Sequence, residues 1–471
     1  MSEESDFATF LEMASSLYPY VDRFPNFREI PEKGRTREEI LALLKELSST
    51  EDAMGDKGRV SGSIYHGGHE HYEFLVDAFA NFAHSNVLQR DMYPSATKFE
   101  GEIVAMTASL MHGPRDVCGV ITSGGTESLL SPLLAYRERS RERGITEPEV
   151  IIPVTAHVAL EKGAHYFGIK VLHAPLGDDW KVDLDWVASH ITKNTIALVG
   201  SAGNYPHGLI DDIEGLSSLA VKHDIGLHVD GCLGGWLLPW FEVLGHKIPL
   251  FDFRLPGVTS ISADTHKFGY SLKGTSVLLY RTPELRRYQY SMFAHWPGGI
   301  YASPGISGSR SGGLIAAAWA AMVNLGREGY LENAAKIWKA AREIENAVRS
   351  HPELEVIGDP TFLIAFKSET LNIYHLNDAL ISQGWRLNSL QLPPALHFCL
   401  TLPQTQSGVT RQFAKDLAEA VAYAKQATGD PESGAMYGMG ASPAGSEMLS
   451  ELIAGFMDLM AQVPPDARKN K

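Results

Sequence analysis

The chain has 471 residues, 44% hydrophobic and 21% charged, the profile of a soluble globular protein long enough to hold two or more lobes. Its 41 basic and 56 acidic residues give a net charge of −15, which argues against a broad nucleic-acid surface and leaves room for a local basic pocket. No run approaches the ~20 apolar residues that cross a bilayer. The acidic start MSEESDFATFLEMASSLYPYV lacks a signal-peptide pattern, so no transmembrane anchor is expected. Cys118, Cys232 and Cys399 show no CxxC spacing, which supports neither a zinc ribbon nor a disulfide framework and fits a reducing cytoplasm.

Residues 1–60 read as a helical arm, with Ile40, Leu41, Leu43, Leu44 and Leu47 on a helix from Thr36. The next stretch, GRVSGSIYHGGHEHYEFL, is rich in Gly and His. No carboxylate cluster or cysteine completes a metal set around His66, His69 and His71, so no metal is expected. Tyr65 offers an aromatic hydroxyl on that loop. Polar punctuation from His84 to Pro94 precedes a helix over 96–110.

A short buried strand, 117–122, runs into Ser123-Gly124-Gly125-Thr126, and a helix starts near Thr126. Strand, small-residue turn and helix start form a phosphate-binding arrangement, because backbone N–H groups can approach the oxygens and the helix dipole favours an anion. The pattern is neither GxGxxG nor GxxxxGKS, so dinucleotide and nucleoside triphosphate binding are disfavoured; a plain tight turn is the competing reading. A strand over 150–155 leads to His157, whose flat ring can stack on a planar ligand. Strands follow at 170–174 and 195–201, the second leading to Tyr205. A strand over 225–230 ends in Asp230, a carboxylate that needs a cationic partner if buried.

The strands alternate with helices, so a mostly parallel sheet covered on both faces is expected. The segment SISADTHKFGYSLKGTSVLLY (260–280) then places His266, Lys267 and Lys273 on a turn between two strands. A lysine there can bond covalently to a carbonyl cofactor. A Gly-rich region with Arg310 leads into a helix over 314–325. Beyond Gly329, a helix over 330–350 and then shorter elements suggest a compact α+β lobe. The expected division is 1–60, arm; 61–328, large domain; 329–430, smaller α+β domain; 431–471, tail and last helix.

Together these parts match a pyridoxal phosphate site. Phosphate would sit at Gly125 and Thr126 with His266 helping. His157 would stack on the ring, Asp230 would pair with the ring nitrogen, and Lys267 would carry the covalent link. Lys273, Arg310 and the histidines would make a local basic island.

The segments TSGGTES, TAHVALEKGAHYFG, HVDGCLGGW, GVTSISADTHKFGYSLKG, GGIYASPGISGSRSGG and LNSLQLPPALHFCLTL resemble the sphingosine-1-phosphate lyase family. That family lies in the group II decarboxylase branch of fold type I pyridoxal phosphate enzymes. The resemblance runs from about residue 60 to 440. It implies a fold type I α/β architecture, a large mostly parallel sheet domain plus a smaller C-terminal α+β domain. It also implies a homodimer with shared sites, and cleavage of a phosphorylated sphingoid base to phosphoethanolamine and a fatty aldehyde. By the same resemblance Lys273 and Tyr205 match positions near the substrate phosphate and the reacting centre. Tyr65 and Tyr437 match other active-site tyrosines, Asn86 belongs to a substrate-binding Ser-Asn pair, and Ser309 reaches the cofactor phosphate from the partner subunit. Which group is the base stays open. Gln89 replaces a histidine common in the family, which bears on recognition of the phosphate head, and Phe268 stands where tyrosine is common. Two other readings are an amino-acid decarboxylase on the same machinery and an inactive scaffold, the latter opposed by the presence of Lys267, Asp230 and His157.

Overall fold

The computed structural model describes residues 24, 27, 29–434 and 443–461. In chain order the first elements are α1 (Arg37–Asp56), α2 (His69–Ala80) and α3 (Pro94–Leu110). Thr36 opens α1 with a capping box shared with Glu39, satisfying helix N–H groups that have no partner within the helix. Next come β1 (Cys118–Thr122), α4 (Gly125–Glu142), β2 (Glu149–Pro153), α5 (Ala159–Phe167) and β3 (Lys170–Ala174). They are followed by α6 (Leu184–His190), β4 (Thr195–Ser201), α7 (Ile213–His223), β5 (Gly226–Asp230), α8 (Leu238–Val243), β6 (Ser260–Ala263) and β7 (Ser276–Tyr280).

These seven strands form one sheet in the order β1-β7-β6-β5-β4-β2-β3. β7 runs antiparallel to both of its neighbours, and the other pairings are parallel. Parallel strands need covered crossovers, and the sheet is buried on both sides. Alternation divides the strand residues between two apolar layers: Val150 and Ile152 pack in the layer with α4 and α5, while Ile151 packs in the opposite one. Leu278 and Leu279 on β7 divide in the same way.

Beyond the sheet lie α9 (Pro283–Arg287) and a separate two-stranded ribbon, β8 (Ser291–Trp296) and β9 (Gly299–Ser303). The long helix α10 (Gly312–Arg349) follows, broken at Gly326, where φ is +56° and ψ −175°. That break lies three residues before the expected 328/329 division. A four-stranded antiparallel sheet ends the folded body, built from β10 (Glu355–Val356), β11 (Leu363–Lys367), β12 (Asn388–Gln391) and β13 (Pro394–Cys399), with α11 (Ile373–Ser382) between β11 and β12. Helix α12 (Val409–Ala424) packs on α10 and α11, and α13 (Pro443–Ala461) lies at the end of the described chain. The parallel strands all deliver their carboxyl ends to one edge of the large sheet, where open α/β sheets hold ligands.

Candidate active site

The loop joining β6 to β7 turns back on itself at this edge. The Asp264 carboxylate, 1% exposed, accepts from Lys267 Nζ at 2.8 Å and lies 3.6 Å from His266 Nε2. Burial pushes its pKa up, but Lys267 and His266 outweigh burial and hold it below the usual carboxylate range. Burial alone would lower the Lys267 pKa, yet the Asp264 charge keeps it above the ordinary lysine value, so the resting amine is an ammonium. Asp264 Oδ1 is buried without a hydrogen-bond partner.

Asp264 did not stand out as a candidate in the sequence. Its signal was the spacing: Asp and Lys three apart across a single turn, with the Lys267 N–H donating to the Asp264 carbonyl at 3.2 Å.

The glycine turn after β1 comes against this loop. Gly124 has φ +147°, and a Cβ on Gly125 would lie 2.8 Å from Asp264 Oδ2. The close approach therefore requires Gly125. No side chain caps the start of α4 at Gly124, and Thr126 is exposed there. Glu127 is turned to another use, accepting from Ser123 N–H at 2.8 Å and from Ile306 N–H at 3.0 Å.

Asp230 ends β5, 8% exposed, with Oδ1 accepting from the Cys232 N–H at 3.0 Å. His157 follows β2, its Nδ1 accepting from the Ala159 N–H at 3.1 Å. Tyr205, half exposed on the loop after β4, presents its ring edge-on to His157 at 6.4 Å and to His397 at 5.1 Å. Lys273 Nζ lies 4.8 Å from the centre of the Tyr65 ring. Burial and the neighbouring Lys267 charge push the Lys273 pKa down to about 8. Tyr65 is buried edge-on to Phe268, and burial raises its hydroxyl well above the ordinary tyrosine value.

Asn86 and Ser309 form a separate pair, with Asn86 Nδ2 donating to Ser309 Oγ at 3.0 Å. Ser309 and Gln89 are exposed, and Tyr437 lies outside the described residues. Arg310 does not join a basic island: its guanidinium is committed to Glu100 and to the Ile121 carbonyl. Of the three histidines, His69 and His71 lie on α2, and buried His71 Nε2 pairs with the Tyr270 carbonyl at 2.8 Å. Among the described residues no group of three or more His, Cys, Asp or Glu is placed to hold a metal ion.

Residues 61–369 match the conserved domain of pyridoxal-dependent decarboxylases, and the chain belongs to that family. The fold agrees: a glutamate decarboxylase of Lactobacillus brevis superposes with a TM-score of 0.74 over 88% of this chain and 99% of its own, at 21% identity, a likeness of fold alone. Within the family, the chain belongs with the sphingosine-1-phosphate lyases. It is 42% identical to sphingosine-1-phosphate lyase 1 of Rattus norvegicus over 94% of this chain and 79% of that one. It is 44% identical to the Arabidopsis thaliana enzyme over 85% and 76%. The solved sphingosine-1-phosphate lyase of Burkholderia pseudomallei is 50% identical, with a TM-score of 0.89 over 95% of this chain and all of that one.

The residues present fit pyridoxal phosphate. A helix start without a side-chain cap beside a turn that tolerates no Cβ suits a phosphate. The buried Asp230 suits a ring N–H, and the amine of Lys267, held by Asp264 beside the glycine turn, suits the covalent link. Among the described residues no helix is long and apolar enough to cross a membrane.

Proposed function

We propose that the protein cleaves a phosphorylated long-chain base of the sphingosine 1-phosphate kind, releasing phosphoethanolamine and a fatty aldehyde. The observation that carries the reading is the meeting of Lys267, Asp264 and the glycine turn at one sheet edge, in a chain so similar to named lyases.

In this reading Gly125, Thr126 and His266 hold the cofactor phosphate, His157 covers a face of the ring, and Asp230 keeps the proton on the ring nitrogen. Lys267 would carry the covalent link to the cofactor's carbonyl carbon. Pyridoxal phosphate, when bound, supplies the electron sink that lets the substrate Cα–Cβ bond break. Tyr205, half exposed on the loop after β4, relays the β-hydroxyl proton, its oxygen accepting that proton as its own passes to water. Tyr65, buried and held protonated, positions the substrate instead. Lys273 Nζ, protonated at neutral pH, faces the substrate phosphate and returns a proton to Cα. Asn86 contributes to the substrate pocket.

We further propose a homodimer in which Ser309 serves the partner's cofactor phosphate. The exposed ribbon β8–β9, with Met292, Phe293, Trp296 and Ile300 in solvent, supports that assembly. Three free thiols support a reducing, cytoplasmic setting.

The test is product analysis of the holoenzyme with sphingosine 1-phosphate and, separately, with amino acids. Aldehyde and phosphoethanolamine are expected. Carbon dioxide from an amino acid, with no aldehyde from the lipid, would move the protein to the decarboxylase reading.

A further inference from the structure

Behind Asp230 the polar side chains continue. The parallel ladder sets His228 beside Ser260 and Asp230 beside Ser262. His228 and Asp230 are two apart on β5, and Ser260 and Ser262 are two apart on β6, so all four side chains lie on one face. Ser262 Oγ reaches Asp230 Oδ1 at 3.5 Å and His228 Nε2 at 3.3 Å. His228 Nδ1 meets Ser260 Oγ at 2.8 Å, and Ser260 Oγ meets the Tyr136 hydroxyl of α4 at 2.6 Å. Tyr136 has room for its ring only because β5 begins with a glycine: a Cβ on Gly226 would lie 2.4 Å from Tyr136 Cε1. Tyr136 is 1% exposed, and His228, Ser260 and Ser262 are fully buried.

The carboxylate fixes the direction of the chain. Ser262 Oγ donates to the Asp230 carboxyl oxygen. Ser262 then accepts from His228 Nε2–H, His228 Nδ1 accepts from Ser260, and Ser260 accepts from Tyr136. Every donor points toward Asp230, and the histidine must be the neutral Nε2–H tautomer. Its surroundings agree: burial lowers its pKa to about 4, and the Asp230 charge only partly offsets this. The Cys232 thiol also reaches Ser262 Oγ, at 3.2 Å.

We propose that His228 is a positioning residue which, through Ser262, holds Asp230 aimed at the cofactor ring nitrogen. The inference rests on the reading of Asp230 given under Proposed function. The chain also ties Asp230 to α4, the helix that begins at the proposed phosphate turn, so both ends of the cofactor pocket share one hydrogen-bonded support.

The experiment uses holoenzyme loaded with pyridoxal phosphate isotope-labelled at the ring nitrogen, in the native protein, Ser262→Ala, His228→Leu and the double variant. The nitrogen NMR shift reports whether the ring is protonated, and equilibrium dialysis reports cofactor affinity. Each single variant is expected to move the shift toward the unprotonated ring. Each should weaken cofactor binding about tenfold to a hundredfold, the scale of one lost hydrogen bond to a charged group. The double variant should lose no more than one single variant, because both break the same chain. A native shift and affinity in Ser262→Ala overturns the proposal, even if His228→Leu fails to fold. Additive losses, or a native shift in folded His228→Leu, overturn it as well. If the native protein forms no lysine-linked holoenzyme, the function reading falls and takes this inference with it; if it does, a failure above concerns His228 alone.

Discussion

Two ion pairs flank the glycine turn after β1, and they are built to opposite ends. Glu100 lies buried on α3 and is saturated: it takes Arg310, Arg90 and the Ile121 N–H, and each of its oxygens has at least two donors. Asp264 is just as buried but leaves Oδ1 without a partner, and its cation Lys267 remains a quarter exposed. Both carboxylates titrate below their ordinary range despite burial. A saturated pair has nothing left to offer a ligand and serves as a girder. A half-satisfied pair holds a reactive amine in reserve and keeps acceptor capacity open, which is how a site differs from scaffold.

Breaking each pair should separate activity from stability. Lys267→Ala removes the group proposed to form the covalent link and should lower turnover on the order of 10⁴-fold or more, with no borohydride-stable cofactor label on the peptide. Its thermal unfolding should shift less than its activity suggests, since Asp264 can take a proton in the opened pocket. Normal turnover by Lys267→Ala would dissolve the distinction. Glu100→Gln should do the reverse. It leaves Arg310 buried without its charge partner and should cost about 3 kcal/mol in denaturant unfolding. The pH dependence has a definite sign. Glu100 has a lowered pKa in the fold, so its contribution is present above the unfolded carboxylate range and is lost as pH falls through the folded value. Glu100→Gln should flatten that acid limb; a native acid limb in the variant would contradict the girder role.

The contrast was only partly legible in the sequence. Strand 195–201 matches its expected bounds, because a run buried at all seven positions leaves few alternatives, and strand 170–174 matches although only Ala174 of it is buried. The ribbon β8–β9 did not show, since all six residues of β8 are exposed and an alternating pattern needs one buried face. The helices expected at 314–325 and 330–350 merge into α10 around the break at Gly326, whose flanks read as two helices when only local signals are weighed. Lys267, His266 and Asp230 were visible because their residue types and strand-end positions are themselves chemical. Asp264 was hidden in plain polar company. Arg310 looked like part of a basic island until Glu100, 210 positions away in sequence, claimed it. Local composition carries the reactive groups, whereas their counter-charges come from distant elements that no spacing announces.

The smallest expected effect sharpens the same comparison from the side of the second lysine. Arg310 is neutralised by its partner, but Lys273 rests on an aromatic ring near a second lysine, and burial with that repulsion brings its pKa down to about 8. The group is therefore charged at neutral pH and loses its proton within the range of ordinary assays. If its charge holds the substrate phosphate, kcat/KM should fall above about pH 8, approaching about tenfold per unit, because this ratio reports groups of the free enzyme. Lys273→Arg keeps the charge throughout that range, since a guanidinium does not deprotonate there. The variant should lose the alkaline limb even if its bulk, and a guanidinium's reluctance to give a proton to Cα, lower the rate at pH 7. A limb that persists unchanged in Lys273→Arg would assign the ionisation to another group. Lys273 would then resemble Arg310 after all, a cation serving the fold.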